Sequence, residues 1–379
     1  MIGINGMTKE QSYFLELLRD HLHGKRSTYR EDVDWDIIAK IARVHCLEPI
    51  IYAQSKDARF KSKYDFQIYY YANLKRELQS LHAAISDVDY FIFKGVRIAE
   101  LYPIPALRTM SDADILVHAA DQEVVHEKIV GLGYQNTIKK NEQVWHYRKN
   151  CFEIELHNQM VFANKFQSKR LEEFAGSCWS HYDSSNHALD WNFHFLYVLM
   201  HLRKHFIRDG VGFRQFMDVA VICSKVCIDW DWVLAKAQEL EMHEFVLMSL
   251  AFVKRWFDVD IPIELPEVSS EFYENTTEWV FENGVFGFDN KDNSMGRPIA
   301  EIRQNGKVKW AFRSVFRPYM QLVKSPDYQF LVDRRYLLPA AWLKRIFLML
   351  IHSSTYKQRY EQMQREAEGK NKFLEEWGL

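Results

Sequence analysis

The chain has 379 residues, of which 47% are hydrophobic and 15% aromatic, with a formal net charge of −2. That composition supports a packed core and excludes a disordered chain. Lysine and arginine are spread along the sequence without the basic stripe of a nucleic-acid binder, which counts against a large RNA or DNA substrate.

Five cysteines, Cys46, Cys151, Cys178, Cys223 and Cys227, form no paired framework and read as reduced thiols of a cytoplasmic protein. Cys223 and Cys227 stand one helical turn apart. Without a CxxC partner they read as small apolar residues on a buried helix face rather than as a metal pair. The start, "MIGINGMTKE", lacks a basic segment followed by an apolar one, so no signal peptide is expected.

Residues 8–88 read as helical. "TKEQ" resembles a capping box, with Thr8 as cap and Gln11 three residues on. "DWDIIAKIARVHCLEPIIYAQS" carries apolar residues at helical spacing, and Pro49 marks a break between helices. The pattern continues from about residue 65 to 86 through "YYYANLKRELQSLHAAI".

Near residue 89 the texture changes. "YFIFKG" (90–95) is a short apolar run ending in glycine, as a buried strand and tight turn would be. "VRIAELYP" reads as a short helix stopped by Pro103, and "DADILV" (112–117) as the second strand. "DQEVVHEKIVGLGY" (121–134) is an amphipathic helix closed by Gly131 or Gly133. "QVWHYR" (143–148) and "CFEIELHNQ" (151–159) alternate as an antiparallel hairpin across "KN".

Beyond residue 165 helical periodicity returns in "WNFHFLYVLMHLRKHF", "FRQFMDVAVICSKV" and "DWVLAKAQELEMHEFVLMSLAFVKRWF". "FENGVFGFDNKDNSMGRP" (281–298) reads as a loop, and the tail from Tyr356 as a charged, solvated helix. "LLPAAWLKRIFLMLIH" (337–352) is the most apolar run. Lys344 and Arg345 interrupt it and it is too short to span a bilayer, so a buried helix is expected, with a membrane-surface helix as the lesser alternative. The expected organisation is an N-terminal helical region (1–88), an α+β core (89–165) and a larger C-terminal helical domain (166–379).

The chemistry concentrates in "LRTMSDADILV" (107–117). Strand residues two apart share a face, so Asp112 and Asp114 point together, roughly 6.6 Å apart along the strand. Burying two carboxylates is costly unless something positive compensates them. A divalent cation is one such compensation. "EIEL" repeats the spacing, with Glu153 and Glu155 on one face followed by His157. If the hairpin lies beside the "DAD" strand, a third carboxylate converges on the same ions, and hard oxygen ligands suit Mg²⁺ or Mn²⁺. The plainer alternative is a solvent-facing acid pair and one wet face of a hairpin.

"FIFKGVRIAELYPIPALRTMSDADILV", followed by "GLGY" and "EIELH", resembles an uncharacterised bacterial nucleotidyltransferase family of the DNA polymerase β-like superfamily. "HLRKHF", "GVGFRQFMDVA", "NGVFG" and "LLPAAWLKR" extend the similarity over most of the chain. The resemblance implies an α+β fold with a small mixed sheet, flanked by N-terminal helices and a C-terminal helical domain. It also implies two-metal nucleotidyl transfer. Asp112 and Asp114 would bind the metals, and Glu155, two residues before His157, would be the third carboxylate. Gly95 would let the backbone approach the triphosphate. The superfamily's usual Gly-Ser or Gly-Gly turn is here Lys94-Gly95, so Lys94 or Ser111 would take over the phosphate contact. The alternative for Lys94 is a strand-end salt bridge. Arg108 would clamp phosphate oxygens, or else lie on the surface. Lys204 and Arg214 would reach the triphosphate from the helical domain, the alternative being a surface Arg214–Asp218 pair. Glu153, His157 and Asp218 would stand around the ligands, while His201 and His205 read as packing or hydrogen-bonding residues.

The expected function is Mg²⁺-dependent transfer of an NMP from an NTP to an acceptor hydroxyl, releasing pyrophosphate. The acceptor stays open, with a small molecule or protein favoured over nucleic acid, and so does oligomeric state. A D-x-D glycosyltransferase would need a nucleotide-binding α/β half before the motif, where this chain is helical. A non-catalytic nucleotide-binding or antitoxin-type partner on the same fold is opposed by intact acids at all three positions. A phosphatase lacks its threonine-bearing motif.

Overall fold

Local rules set the first helices. α1 (Lys9–Leu22) opens at Thr8, whose hydroxyl accepts from the Gln11 backbone N–H while the Gln11 side chain accepts from the Thr8 N–H. α2 (Trp35–Val44) is capped by the Asp34 carboxylate. α3 (Glu48–Ser55) carries Pro49 in its first turn, where the missing N–H costs nothing. α4 (Lys61–Ile85) is the longest among the described residues, at 25 residues. The computed structural model describes residues 6–141, 144–160, 169–208, 210–285, 315–322, 326–331, 334–351 and 372–379. The chain divides into two compact units, 1–206 with 210–289, and 207–209 with 290–379.

The first unit holds a five-stranded mixed sheet, a sheet as small as expected, with helices before and after it in sequence. Its strands are β1 (Tyr90–Phe93), β2 (Asp112–Val117), β3 (Gln135–Asn141), β4 (Val144–Lys149) and β5 (Phe152–His157). Their order is β1-β2-β5-β4-β3. β2 and β5 run parallel, and the other pairs are antiparallel. Two short helices are threaded between strands, α5 (Gly95–Ala99) and α6 (Gln122–Gly131).

Alternation gives the sheet two chemically different faces. One packs Ile115, Val117, Trp145, Tyr147, Ile154 and Leu156 against Leu74, Leu81 and Ile85 of α4 and Val125 and Ile129 of α6. The other presents the acids. The expected hairpin is present as β4–β5. β3 is an additional strand, and its polar "QNTIKKN" carries no alternation by which to read it.

Among the described residues the rest of this unit adds helices and a small pair of strands, β6 (Tyr182–Asp183) and β7 (Ala188–Leu189). Its helices are α7 (Lys169–Gly176), α8 (Trp191–Arg208), α9 (Phe213–Lys225), α10 (Trp230–Glu239), α11 (His243–Phe257) and α12 (Ser270–Asn283). Arg19 of α1 donates to the Trp256 carbonyl, tying α1 to α11. Cys223 is half-buried on α9, whereas Cys227 lies past the helix end and is exposed. The two therefore do not share a buried helix face, because the helix stops between them.

In the second unit α13 (Tyr319–Leu322) and α14 (Leu338–Ile351) join a small core of Leu322, Tyr328, Leu331 and Ala341. α14 is not the buried helix that its hydropathy suggests: Leu343 is 67% exposed and Phe347 62%. Residues 286–298 of the expected loop and 356–371 of the expected tail helix lie outside the described residues. No helix among the described residues is long and apolar enough to cross a membrane.

Candidate active site

The turn after β1 is strained at an unexpected residue. Lys94, not a glycine, takes φ 58° and ψ −127°. A lysine in this region costs on the order of 1–3 kcal/mol, and such residues gather at functional sites. The Lys94 N–H donates to Nε2 of His194, 3.1 Å away on α8. Burial, and then the Arg97 guanidinium, hold the His194 ring well below its usual range, so it stays a neutral acceptor.

Gly95 follows, and its missing side chain has a visible purpose. A Cβ there would overlap Nη1 of Arg108. Arg108 is not on the surface: its side chain is 9% exposed and grips Asp218 in a bidentate pair, Nη2–Oδ2 2.7 Å and Nε–Oδ1 3.2 Å. The Tyr102 hydroxyl donates to the same Asp218 Oδ1 at 2.9 Å. Asp218 thus holds Arg108 in the core, and no surface Arg214–Asp218 pair is formed. Arg214 instead donates from Nη1 to the Thr109 carbonyl, 2.6 Å away.

The acids come together through strand register. In the parallel β2–β5 pair, Asp112 stands beside Glu153 and Asp114 beside Glu155. Asp114 Oδ1 accepts from Lys94 Nζ at 2.5 Å and lies 3.0 Å from His157 Nε2. The same His157 nitrogen is 3.3 Å from Glu155 Oε2, and His146 Nδ1 of β4 is 3.3 Å from Glu155 Oε1. Glu153 turns away to Arg148 of β4 and does not line the cleft.

These contacts set the charges. Burial, then the neighbouring Asp114 and Glu155 carboxylates, push the Asp112 carboxyl up to about 6. Burial opposes ionisation of Asp114, but the Lys94 ammonium and His157 outweigh it and hold that carboxyl well below the usual range. Glu155 is lowered against its own burial, chiefly by the His157 hydrogen bond. Burial works against the His157 imidazolium, and its bonds to Asp114 and Glu155 raise it nonetheless.

A cleft of about 330 Å³ opens over this face. Asp112, Asp114 and Glu155 form its sheet wall. Lys204 and His201 of α8 and Arg214 of α9 line the helical side, with Ser111 exposed at the rim. Lys94, Gly95, Arg108 and Asp218 also line it. His201 and His205 hydrogen-bond to each other, Nε2 to Nε2 at 3.0 Å, as their sequence spacing suggests. Sequence reasoning missed His194 and Tyr102, because both act on residues about a hundred positions away or more.

With this geometry in view, the chain matches a family described as uncharacterised nucleotidyltransferase over residues 31–258, more than half its length. The chain belongs to that family. No curated protein and no solved structure matches it. The matched span contains the whole sheet and the cleft with both its walls, so the fold and the cleft belong to a nucleotidyltransferase.

The nucleotidyltransferase cleft fits a divalent cation on chemical grounds. Ligand atoms of Asp114, Glu155 and His157 lie within 4.8 Å of one another. Asp112 stands outside that group, and burial first, then the Asp114 and Glu155 carboxylates, raise its carboxyl. The carboxylate oxygens suit a hard ion, and the His157 nitrogen is the one softer donor.

Proposed function

We propose that the protein transfers a nucleoside monophosphate from an NTP to an acceptor hydroxyl, in a reaction that depends on Mg²⁺ or Mn²⁺. The observation that carries this reading is the parallel β2–β5 register, which sets Asp114 beside Glu155 on the face where Asp112 also points. Asp112, Asp114 and Glu155 would hold the metal. Bound there, the ion supplies charge stabilisation to the attacking and leaving oxygens.

The chain's own residues divide the remaining work. Glu155, ionised at neutral pH, accepts the proton of the acceptor hydroxyl as that oxygen forms its bond to the α-phosphorus. The bond from the α-phosphorus to the bridging oxygen breaks, and pyrophosphate leaves with that electron pair. Lys204 and Arg214 face the departing phosphates from the helical wall, with Lys94 and Ser111 at the other end. Gly95 serves by making room for Arg108, which Asp218 holds in place. His157 orients Asp114 and Glu155 together. The want of a basic stripe favours a small-molecule or protein acceptor, and the unpaired cysteines a cytoplasmic setting.

Titration calorimetry with a non-hydrolysable NTP tests the reading. Binding should require Mg²⁺ or Mn²⁺ and vanish in Asp112→Asn. Equal affinity in excess chelator would overturn a metal-bridged triphosphate.

A further inference from the structure

Three of the site's features concern one residue that the proposed reaction uses only loosely. Lys94 Nζ lies 2.5 Å from Asp114 Oδ1, on the carboxylate a metal ion would need. The Lys94 side chain is 20% exposed and that of Asp114 only 6%, so the ammonium approaches from the open cleft and can withdraw into it. The Lys94 backbone, by contrast, is fixed: it sits at φ 58° with its N–H bound to His194. A strained, anchored backbone carrying a long side chain is a pivot. It confines any movement of the charge to the four methylenes.

We infer that Lys94 is an exchangeable counter-ion that couples metal binding to polyphosphate binding. The ammonium neutralises Asp114 before the substrate arrives. It passes to a phosphate oxygen when metal and polyphosphate enter together. A bare cation meets the ammonium as a like charge at its ligand, whereas a metal–polyphosphate complex brings an anion to receive it. Because coupling between two ligands is reciprocal, Lys94 weakens bare metal binding and strengthens binding of the complex. This rests on the metal site of the preceding section, and the experiment separates the two.

The test compares wild type with Lys94→Met, which keeps length and apolar stem while removing the charge. Mn²⁺ binding is followed by electron paramagnetic resonance, first with Mn²⁺ alone and then with the preformed Mn²⁺–tripolyphosphate complex. Lys94→Met should bind bare Mn²⁺ at least tenfold more tightly and the complex at least tenfold more weakly. A misfolded site would weaken both, so opposite signs are the signature, and Lys94→Arg should restore the wild-type order. Bare Mn²⁺ binding that is unchanged or weakened in Lys94→Met overturns the exchange. Asp114→Asn is the separate arm. If it leaves Mn²⁺ affinity as in wild type, the metal reading itself falls. If affinity depends on Asp114 but Lys94→Met does not raise it, the exchange alone falls.

Discussion

The two walls of the cleft are built on opposite principles. The sheet wall gathers like charges, Asp112, Asp114 and Glu155, on neighbouring strands, and leaves Asp112 with its carboxyl pushed up to about 6. Across the cleft Arg108 is locked to Asp218 in a closed ion pair, while Arg214 donates to the uncharged Thr109 carbonyl and is pressed toward its neutral form by burial and by the Arg108 guanidinium. One wall concentrates negative charge, and the other gathers positive charge around a closed ion pair. On the proposed reading the acids of the sheet serve the metal and the helical cations the phosphates, with the Arg108–Asp218 pair as scaffold.

The largest effect should come from breaking the closed Arg108–Asp218 pair. Asp218→Ala would leave the Arg108 guanidinium buried without a counter-charge, which costs about 3–5 kcal/mol for a broken buried pair. Both side chains are under a tenth exposed, so solvent does little to soften the loss. Urea unfolding measures it. A loss below about 1 kcal/mol would mean that the helical wall is held by something other than this pair.

The next effect belongs to the acidic wall. Glu155→Gln keeps size and hydrogen-bonding capacity while removing the charge and the proton acceptor. Turnover, or NTP–pyrophosphate exchange, should fall by about 10²-fold or more. Stability should change far less than in Asp218→Ala. If the two variants lose stability equally, the distinction between the walls collapses.

The sheet wall was far more legible in the sequence than the helical one, for a physical reason. A strand's period of two is local, so "DADILV" and "EIELH" each declare which residues share a face. The partner of Arg108 lies 110 positions away and leaves no local trace. Neither the burial of Arg108 nor the role of Gly95 in admitting its guanidinium could be read from "LYPIPALRT". The strain at Lys94 was hidden because the adjacent glycine is the residue expected to carry it. β3 was missed because an edge strand with polar residues has no alternation to show. α14 misled in the other sense: hydropathy tells which side chains are apolar, not which of them are covered, and Leu343 and Phe347 are exposed.

Acid should loosen the helical wall before neutral pH is far behind. His45 is wholly buried at the end of α2, and its Nδ1 accepts from the Phe213 N–H where α9 begins, 3.2 Å away. Burial holds its ring down to about 3, and that of His21 down to about 4, from an ordinary value of 6.5. Below 6.5 the unfolded chain therefore binds protons that the folded protein refuses, and stability falls as pH drops toward those folded values. Each histidine contributes about 1.4 kcal/mol per pH unit through the window. Asp112, raised to about 6, works the other way between about 4 and 6 and offsets part of this. Urea titrations at pH 7, 6 and 5 should show a declining midpoint, and a flat series would contradict neutral buried rings.

The smallest effect sharpens the comparison within a single strand. Glu153 and Glu155 lie on one face of β5 and differ only in what stands opposite. Glu155 meets Asp114 and His157 inside the cleft. Glu153 meets Asp112 in register but turns its carboxylate to Arg148, a pair with side chains 38% and 62% exposed. An ion pair at such exposure is worth at most about 1 kcal/mol, because water screens it and two long side chains must be ordered to make it. Glu153→Gln should therefore lower stability by about that much or less and leave turnover within about twofold of wild type, an effect of at most some tenths of a kcal/mol on the barrier. Raising the salt concentration should erase even the stability difference, since exposed pairs are the ones salt screens. If Glu153→Gln proves inactive while Glu155→Gln turns over, the β2–β5 register is shifted by two residues from the one described. The metal would then sit at the Asp112 end of the strand.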